Sequence, residues 1–330
     1  MDKIKVGIIG CGHLGKMHLK NIKEIEKERK DVELIGIYDI DTEKSKMIAL
    51  ENKTKYFFAL DGMLEEINTA IIVSPTSTHF DIALKTISRN IHTFVEKPVT
   101  DSLENAYLLR ADRDSHNVIV QVGHIERFNP ALLSVEKYNI KPLFVESHRL
   151  AQFNPRGTDV SVIQDLMIHD IDIILSLVKS RVKQIDANGV AIMTNKFDIA
   201  NARIQFDNGC VANITASRIS QKKMRKMRIF QNDAYISIDF SENKSEVFKL
   251  DESNKSGKVI GNIEKNGKKL NITYSNPKSP KLNAMKYEQN SFFDCIKNGT
   301  TPVVSLEDGI QALEVATEII EKIEENRITV

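Results

Sequence analysis

The sequence predicts an α/β protein in two parts: a doubly wound parallel sheet, then an α+β domain on an open, mostly antiparallel sheet. Three observations predict it. Short apolar runs alternate with longer amphipathic ones up to about residue 122. A glycine-rich turn follows the first apolar run. Beyond residue 180, strand patterns succeed one another without helices between them.

In chain order, residues 3–9, 32–38, 69–74, 92–96 and 118–123 read as strands. IKVGIIG and TAIIVS are continuous apolar runs, the pattern of strands buried on both faces. Helical patterns at 16–28, 82–88 and 103–115 separate them, which implies parallel strands joined by right-handed crossovers. After residue 122, helical signals at 129–138 and 163–178 lead into strand candidates at 182–193, 202–206, 211–217, 227–230, 235–238 and 245–250. Asp207-Asn208-Gly209 and Asn232-Asp233 mark hairpin turns, so this sheet reads as antiparallel. Residues 251–281, rich in Lys, Asn, Ser and Gly, read as a long hairpin. Two helices close the chain at 282–298 and 306–325, the second with Ser305 as N-cap and Glu307 and Asp308 in its first turn. The expected division is 1–122 and 123–330, with the last helix able to pack back on the first domain.

A chain of 330 residues suits two domains. The formal net charge of +1 gives no reason to expect nucleic acid or a membrane surface as partner. No apolar run approaches the ~20 residues of a membrane helix, and MDKIKVGIIGCG reads as a strand and turn rather than a signal peptide. Cys11, Cys210 and Cys295 are odd in number and scattered. That speaks against a disulfide framework and for a reducing cytoplasm, and none has zinc-site spacing.

Gly10-Cys11-Gly12-His13-Leu14-Gly15 fits G-x-G-x-x-G between a strand and a helix. In that context it is a Rossmann dinucleotide fingerprint. Gly10 permits the turn, Gly12 lets a pyrophosphate approach the backbone, and Gly15 allows close helix packing. Asp39, 24 residues after Gly15, is placed to bond a ribose 2′-hydroxyl, and no Lys or Arg occupies 40–43 to take a 2′-phosphate. NAD is therefore the expected cofactor. Ser74, Pro75, Thr76 and His79 at the carboxyl edge of the sheet are further candidate contacts, as are Glu96, Lys97 and Gln121; the bland alternative for the first group is a Pro/Ser turn capping a helix.

Glu96-Lys97-Pro98 ends a strand at the same edge, where a lysine faces the ligand crevice. Asp165 and His169, four apart at the head of an apolar helix, share one face, and together they can orient a hydroxyl and take up its proton. The structural alternative is a capping acid and a core histidine. A metal site is not expected, because hydride transfer to nicotinamide needs none.

Taken together, GCGHLG, YDID, SPTSTH, EKP and the Asp165–His169 D-x-x-x-H resemble the glucose–fructose oxidoreductase / inositol dehydrogenase (Gfo/Idh/MocA) family over nearly the whole chain. The resemblance implies that Lys97, His169 and Asp165 contact the reacting hydroxyl, with Lys97 or His169 as base. It also implies that the open sheet forms a dimer or tetramer interface. HIERFNP (124–130), NPRGTD (154–159) and SQKKMRKMRIF (220–230) further resemble the UDP-N-acetylglucosamine 3-dehydrogenase subgroup, which implies oxidation of a sugar 3-hydroxyl on the way to amide-linked lipid A. A nucleotide-sugar diphosphate needs cations; Arg127, Arg156 and the basic cluster at 222–228 are candidates. The alternatives are a solvated basic strand and an Arg156–Asp159 pair. Two other readings stay open: a dehydrogenase of a UDP-sugar acid, inositol or free sugar, and a non-catalytic NAD-binding regulator.

Overall fold

A computed structural model describes residues 3–154, 160–252, 257–265 and 267–326. The chain forms two units, Met1–Ile125 with Leu282–Ile310, and Glu126–Lys281 with Gln311–Val330.

The first unit holds a five-stranded parallel sheet: β1 (Ile4–Ile9), β2 (Val32–Tyr38), β3 (Thr69–Ile72), β4 (His92–Glu96) and β5 (Val120–Gly123), in the order β2-β1-β3-β4-β5. Val6, Ile8, Ile71 and Phe94 are buried, because helices cover both faces of a sheet whose crossovers are helical. The His13–Glu28 helix presents His18, Leu19, Ile22 and Ile25 to this core. Phe292 and Phe293, from the Ala284–Asn298 helix, join the same core. The first unit thus ends at 125 rather than 122 and takes back 282–310. The helix that returns is Ala284–Asn298; of the last helix, Leu306–Glu325, only the first turn belongs to this unit. That last helix opens on a reciprocal cap: Ser305 Oγ donates to Asp308 Oδ2 at 2.7 Å and accepts from Asp308 N at 3.2 Å.

The second unit holds a nine-stranded sheet: β6 (Phe144–Leu150), β7 (Val182–Val190), β8 (Ile199–Phe206), β9 (Val211–Ser217), β10 (Met224–Phe230), β11 (Ala234–Asp239), β12 (Lys244–Asp251), β13 (Lys258–Lys265) and β14 (Lys268–Ser275). Their order is β13-β14-β12-β11-β10-β6-β9-β8-β7, with every pair antiparallel except β6–β9. One face packs on the Ile168–Val178 helix and on Ala312, Ala316 and Ile319 of the last helix. The other face carries a cross-strand aromatic ladder, Phe144–Phe230–Tyr235–Phe248–Tyr274, with successive ring centroids 5.9, 5.0, 5.7 and 5.0 Å apart.

Two helical expectations change. The 129–138 signal resolves into a four-residue helix, Pro130–Leu133, and a 3-10 turn, Glu136–Tyr138. Pro130 starts that helix, its missing N–H costing nothing there. The 163–178 signal begins as a π-helical turn, Ile163–Met167, before the α-helix Ile168–Val178. Among the described residues no helix is long and apolar enough to cross a membrane.

Candidate active site

The glycines after β1 build a cradle. Gly10 has φ +105°, in the left-handed region, and a Cβ there would lie 2.7 Å from Ser74 N. A Cβ on Gly15 would sit 2.0 Å from the Gly10 carbonyl oxygen, so the helix can approach this closely only with glycine. A Cβ on Gly12 would meet nothing within 4 Å; this is the open side of the turn. Gly12 caps the helix without a side-chain hydrogen bond, which leaves its first N–H groups for phosphate oxygens. His13 and Leu14 are exposed beside it, whereas the Cys11 side chain is buried. These features fit the diphosphate of NAD.

Asp39 closes β2. Its Oδ2 accepts from Cys11 N at 2.6 Å and from Lys44 Nζ at 3.1 Å, and its Oδ1 accepts from Asp41 N at 3.0 Å. Burial pulls this carboxyl upward, but the two backbone donors and the Lys44 ammonium outweigh it and hold it below the ordinary range. Asp39 is thus a fixed anion, suited to a 2′-hydroxyl and hostile to a 2′-phosphate. Lys44 is one residue beyond the stretch that the sequence argument scanned for cations.

Ser74, Pro75 and Thr76 form a partly open lip, with Thr78 Oγ1 donating to Ser74 Oγ at 2.7 Å. His79 and Gln121, both expected among the cofactor contacts, are buried. His79 is 1 % exposed, and its Nδ1 and Nε2 lie 2.9 Å from the carbonyl oxygens of Pro98 and Ser74. Burial pushes its pKa down against the pull of these two acceptors. Gln121 is fully buried on β5.

At the end of β4, Glu96 and Lys97 are part-buried. Glu96 Oε1 is 2.8 Å from Nε2 of the fully buried His18. Burial raises the Glu96 carboxyl, and the hydrogen bond and charge of His18, with the charges of Lys97 and His79, lower it further than that. Glu96 is therefore ionised at neutral pH. Sequence reading did not select His18; the signal was an imidazole three residues after Gly15, in the helix's apolar stripe beside Leu19 and Ile22.

In the second unit Asp165 lies in the π-helical turn and His169 in the first turn of the following α-helix, both part-buried. The wider π turn still leaves residues four apart nearly in line. Leu166 and Leu177 are part-buried against the core and Ile173 is fully buried.

The other acids of this helix are structural. Asp170 Oδ2 and Oδ1 accept from Arg149 Nε at 2.7 Å and Nη2 at 3.1 Å, and Glu126 Oε1 accepts from Arg149 Nη1 at 2.7 Å. Burial opposes the Arg149 charge, but both carboxylates overcome it and its pKa is raised. Asp172 takes the Arg127 fork, from Nε at 2.7 Å and Nη2 at 2.9 Å. Arg127, expected as a diphosphate contact, therefore has a bidentate carboxylate partner within its own unit. The 222–228 cluster does not act as one patch. Arg225 reaches Glu126 at 3.5 Å, whereas Lys226 pairs with Asp239 at 3.2 Å and Arg228 with Glu146 at 3.4 Å. Neighbouring residues of a strand face opposite ways, so Arg225 and Lys226 serve different surfaces. Arg156 lies outside the described residues. Among those described, no three His, Cys, Asp or Glu side chains are grouped to hold a metal ion.

Comparison with known proteins supplies the family. The model of an oxidoreductase family with an NAD-binding Rossmann fold, GFO_IDH_MocA, matches residues 4–124, and a GFO/IDH/MocA C-terminal domain model matches 143–237. A UDP-N-acetylglucosamine 3-dehydrogenase of Acidithiobacillus ferrooxidans is 36 % identical over 249 residues, 75 % of this chain and 78 % of the relative. The scyllo-inositol 2-dehydrogenase (NAD(+)) of Bacillus subtilis is 26 % identical over 332 residues, covering 95 % and 92 %. A solved structure of the Acidithiobacillus UDP-N-acetylglucosamine 3-dehydrogenase superposes with a TM-score of 0.87 at 31 % identity, over 98 % of this chain and 99 % of that one. With the glycine cradle, the Asp39 anion and the Glu96-Lys97-Pro98 turn in their places, the chain belongs to the Gfo/Idh/MocA family of NAD-binding oxidoreductases.

Proposed function

We propose that this enzyme oxidises the 3-hydroxyl of UDP-N-acetylglucosamine to a ketone, in the cytoplasm, as a step toward an amino sugar of amide-linked lipid A. The observation that carries the proposal is the likeness, over most of both chains, to a dehydrogenase bearing that name. NAD, when bound, supplies the hydride acceptor. Lys97 and His169 take up the hydroxyl proton, and Asp165 orients the hydroxyl. One of Lys97 and His169 is the base, and the other binds and polarises the oxygen.

A second reading, oxidation of a free polyol such as an inositol, is favoured by the carboxylate partners of Arg127, Arg225, Lys226 and Arg228. Formation of NADH from NAD with each of UDP-N-acetylglucosamine, UDP-N-acetylglucosaminuronic acid and myo-inositol separates the two, hydrazine being present to trap the ketone. Turnover confined to the first sugar is the expected result, and turnover confined to inositol overturns the substrate. Silence on all three shifts weight to a non-catalytic NAD-binding role. Lys97→Ala and His169→Ala should each lower kcat by at least about 100-fold. Wild-type rates in both variants remove the assignment. We also infer a homodimer or homotetramer assembled on the aromatic ladder face, since an apolar ladder half open to water gains by being covered. Light scattering on wild type and Tyr235→Glu tests it: a smaller assembly is expected in the variant, and a monomeric wild type overturns it.

A further inference from the structure

Behind the Glu96-Lys97-Pro98 turn runs an ordered chain of hydrogen bonds. Gln289 Nε2, on the Ala284–Asn298 helix, lies 2.7 Å from His18 Nδ1. His18 Nε2 lies 2.8 Å from Glu96 Oε1, and Glu96 Oε2 accepts from Lys97 N at 3.3 Å. The imidazole stands between the two, with Nδ1 toward the amide and Nε2 toward the carboxylate. Each link fixes the next: amide, imidazole, carboxylate, lysine backbone.

The packing leaves this chain little freedom. His18, Gln289 and Phe94 are fully buried. The imidazole meets the Phe94 ring edge-on at 5.5 Å, and Phe94 meets Phe292 in the same way at 5.9 Å. On the other side of the carboxylate stands Gly123, where a Cβ would lie 2.9 Å from Glu96 Oε2. Glu96 is thus held by a donor on one oxygen and by the bare backbone of β5 against the other. A buried carboxylate–imidazole pair contributes little net stability, because desolvation offsets the attraction. What such a pair does supply is orientation, as second-layer partners do elsewhere for metal-bound and catalytic imidazoles.

We propose that His18 is a positioning residue for Lys97: through Nε2 it sets the Glu96 carboxylate, and through Glu96 the backbone and electrostatic setting of the lysine, while Gln289 holds the imidazole from the other side. This rests on Lys97 being catalytic. The relay needs no proton movement.

A double-mutant cycle on turnover tests it, with NAD affinity measured alongside. His18→Leu should lower kcat by roughly ten- to a hundredfold with the NAD dissociation constant unchanged. His18→Gln, whose amide can still donate to Glu96, should recover most of that loss. In a Lys97→Ala background His18→Leu should cost less than about twofold, because the group it positions is gone. Equal losses in both backgrounds, or a loss that follows NAD affinity, overturn the positioning role while leaving Lys97 in place. A Lys97→Ala variant with wild-type turnover overturns the catalytic reading instead. If His18→Leu does not fold, Gln289→Leu provides the cycle: it removes the partner on the other side of the imidazole and should lower kcat in the wild-type background only, with NAD binding intact.

Discussion

Each unit buries a polar cluster under a sheet, and the two are built on different principles. In the second unit, Arg149 is clamped by Glu126 and Asp170, Arg225 also reaches Glu126, and Arg127 pairs with Asp172, so that three cations face three carboxylates. In the first unit, Glu96 has a single imidazole and, behind it, an amide. The dense cluster is closed: its charges balance, and removing one leaves the others stranded in low dielectric. The sparse cluster holds one carboxylate in place beside Lys97. Mutual neutralisation serves folding, whereas a single positioned carboxylate serves chemistry.

That contrast is broken most directly at Arg149. Arg149→Met leaves two buried carboxylates uncompensated and should cost about 3–5 kcal/mol, read from urea denaturation; a variant as stable as wild type would show that the cluster is wetter than its burial indicates. Next comes the glycine cradle. Gly15→Ala drives a methyl into the Gly10 carbonyl and should weaken NAD binding on the order of a hundredfold by fluorescence titration, because the helix must move off the turn. Asp39→Ser removes the anion that Lys44 now neutralises, exposes Lys44 to a 2′-phosphate, and should move the NAD/NADP preference by about tenfold toward NADP. An unchanged ratio would mean that Lys44 does not reach the ribose. The smallest effect concerns Cys11. Burial, and then the Asp39 charge, pushes its thiol up to about 12. Native enzyme at about pH 8 should keep full activity under iodoacetamide, since almost no thiolate forms. Prompt inactivation would show that the loop opens.

The first unit was legible because its strands are apolar on both faces and its glycines answer one geometric need each. Strands β2 and β4 run over Val32–Tyr38 and His92–Glu96, the bounds expected of them. In the second unit β6 escaped notice, although it lies in the middle of the sheet between β10 and β9. Its inward residues are Val145, Ser147 and Arg149, and its outward ones include Phe144 and Leu150, so the expected alternation is inverted. Only the distant Glu126 and Asp170 make an inward arginine tolerable, and no local pattern announces that. The same reason hides His18: its partners Glu96 and Gln289 are far away in sequence. It also explains Arg127, whose cationic chemistry was legible and whose carboxylate partner was not. His79 opens the helix after the expected turn, and the carbonyls of Ser74 and Pro98 that its ring meets were not legible either.

The return of residues 282–310 to the first unit has a consequence for biosynthesis. A ribosome that has released the fingerprint, all five parallel strands and the Glu96-Lys97-Pro98 turn has not yet made Phe292 and Phe293, which share their core, nor Gln289, which meets the His18 ring. The nascent dinucleotide domain must wait, with one side of Phe94 uncovered, while the whole of the second sheet is translated. Its completion is therefore a late event in the life of the chain, and a chaperone that shields that face would act before residue 282 emerges.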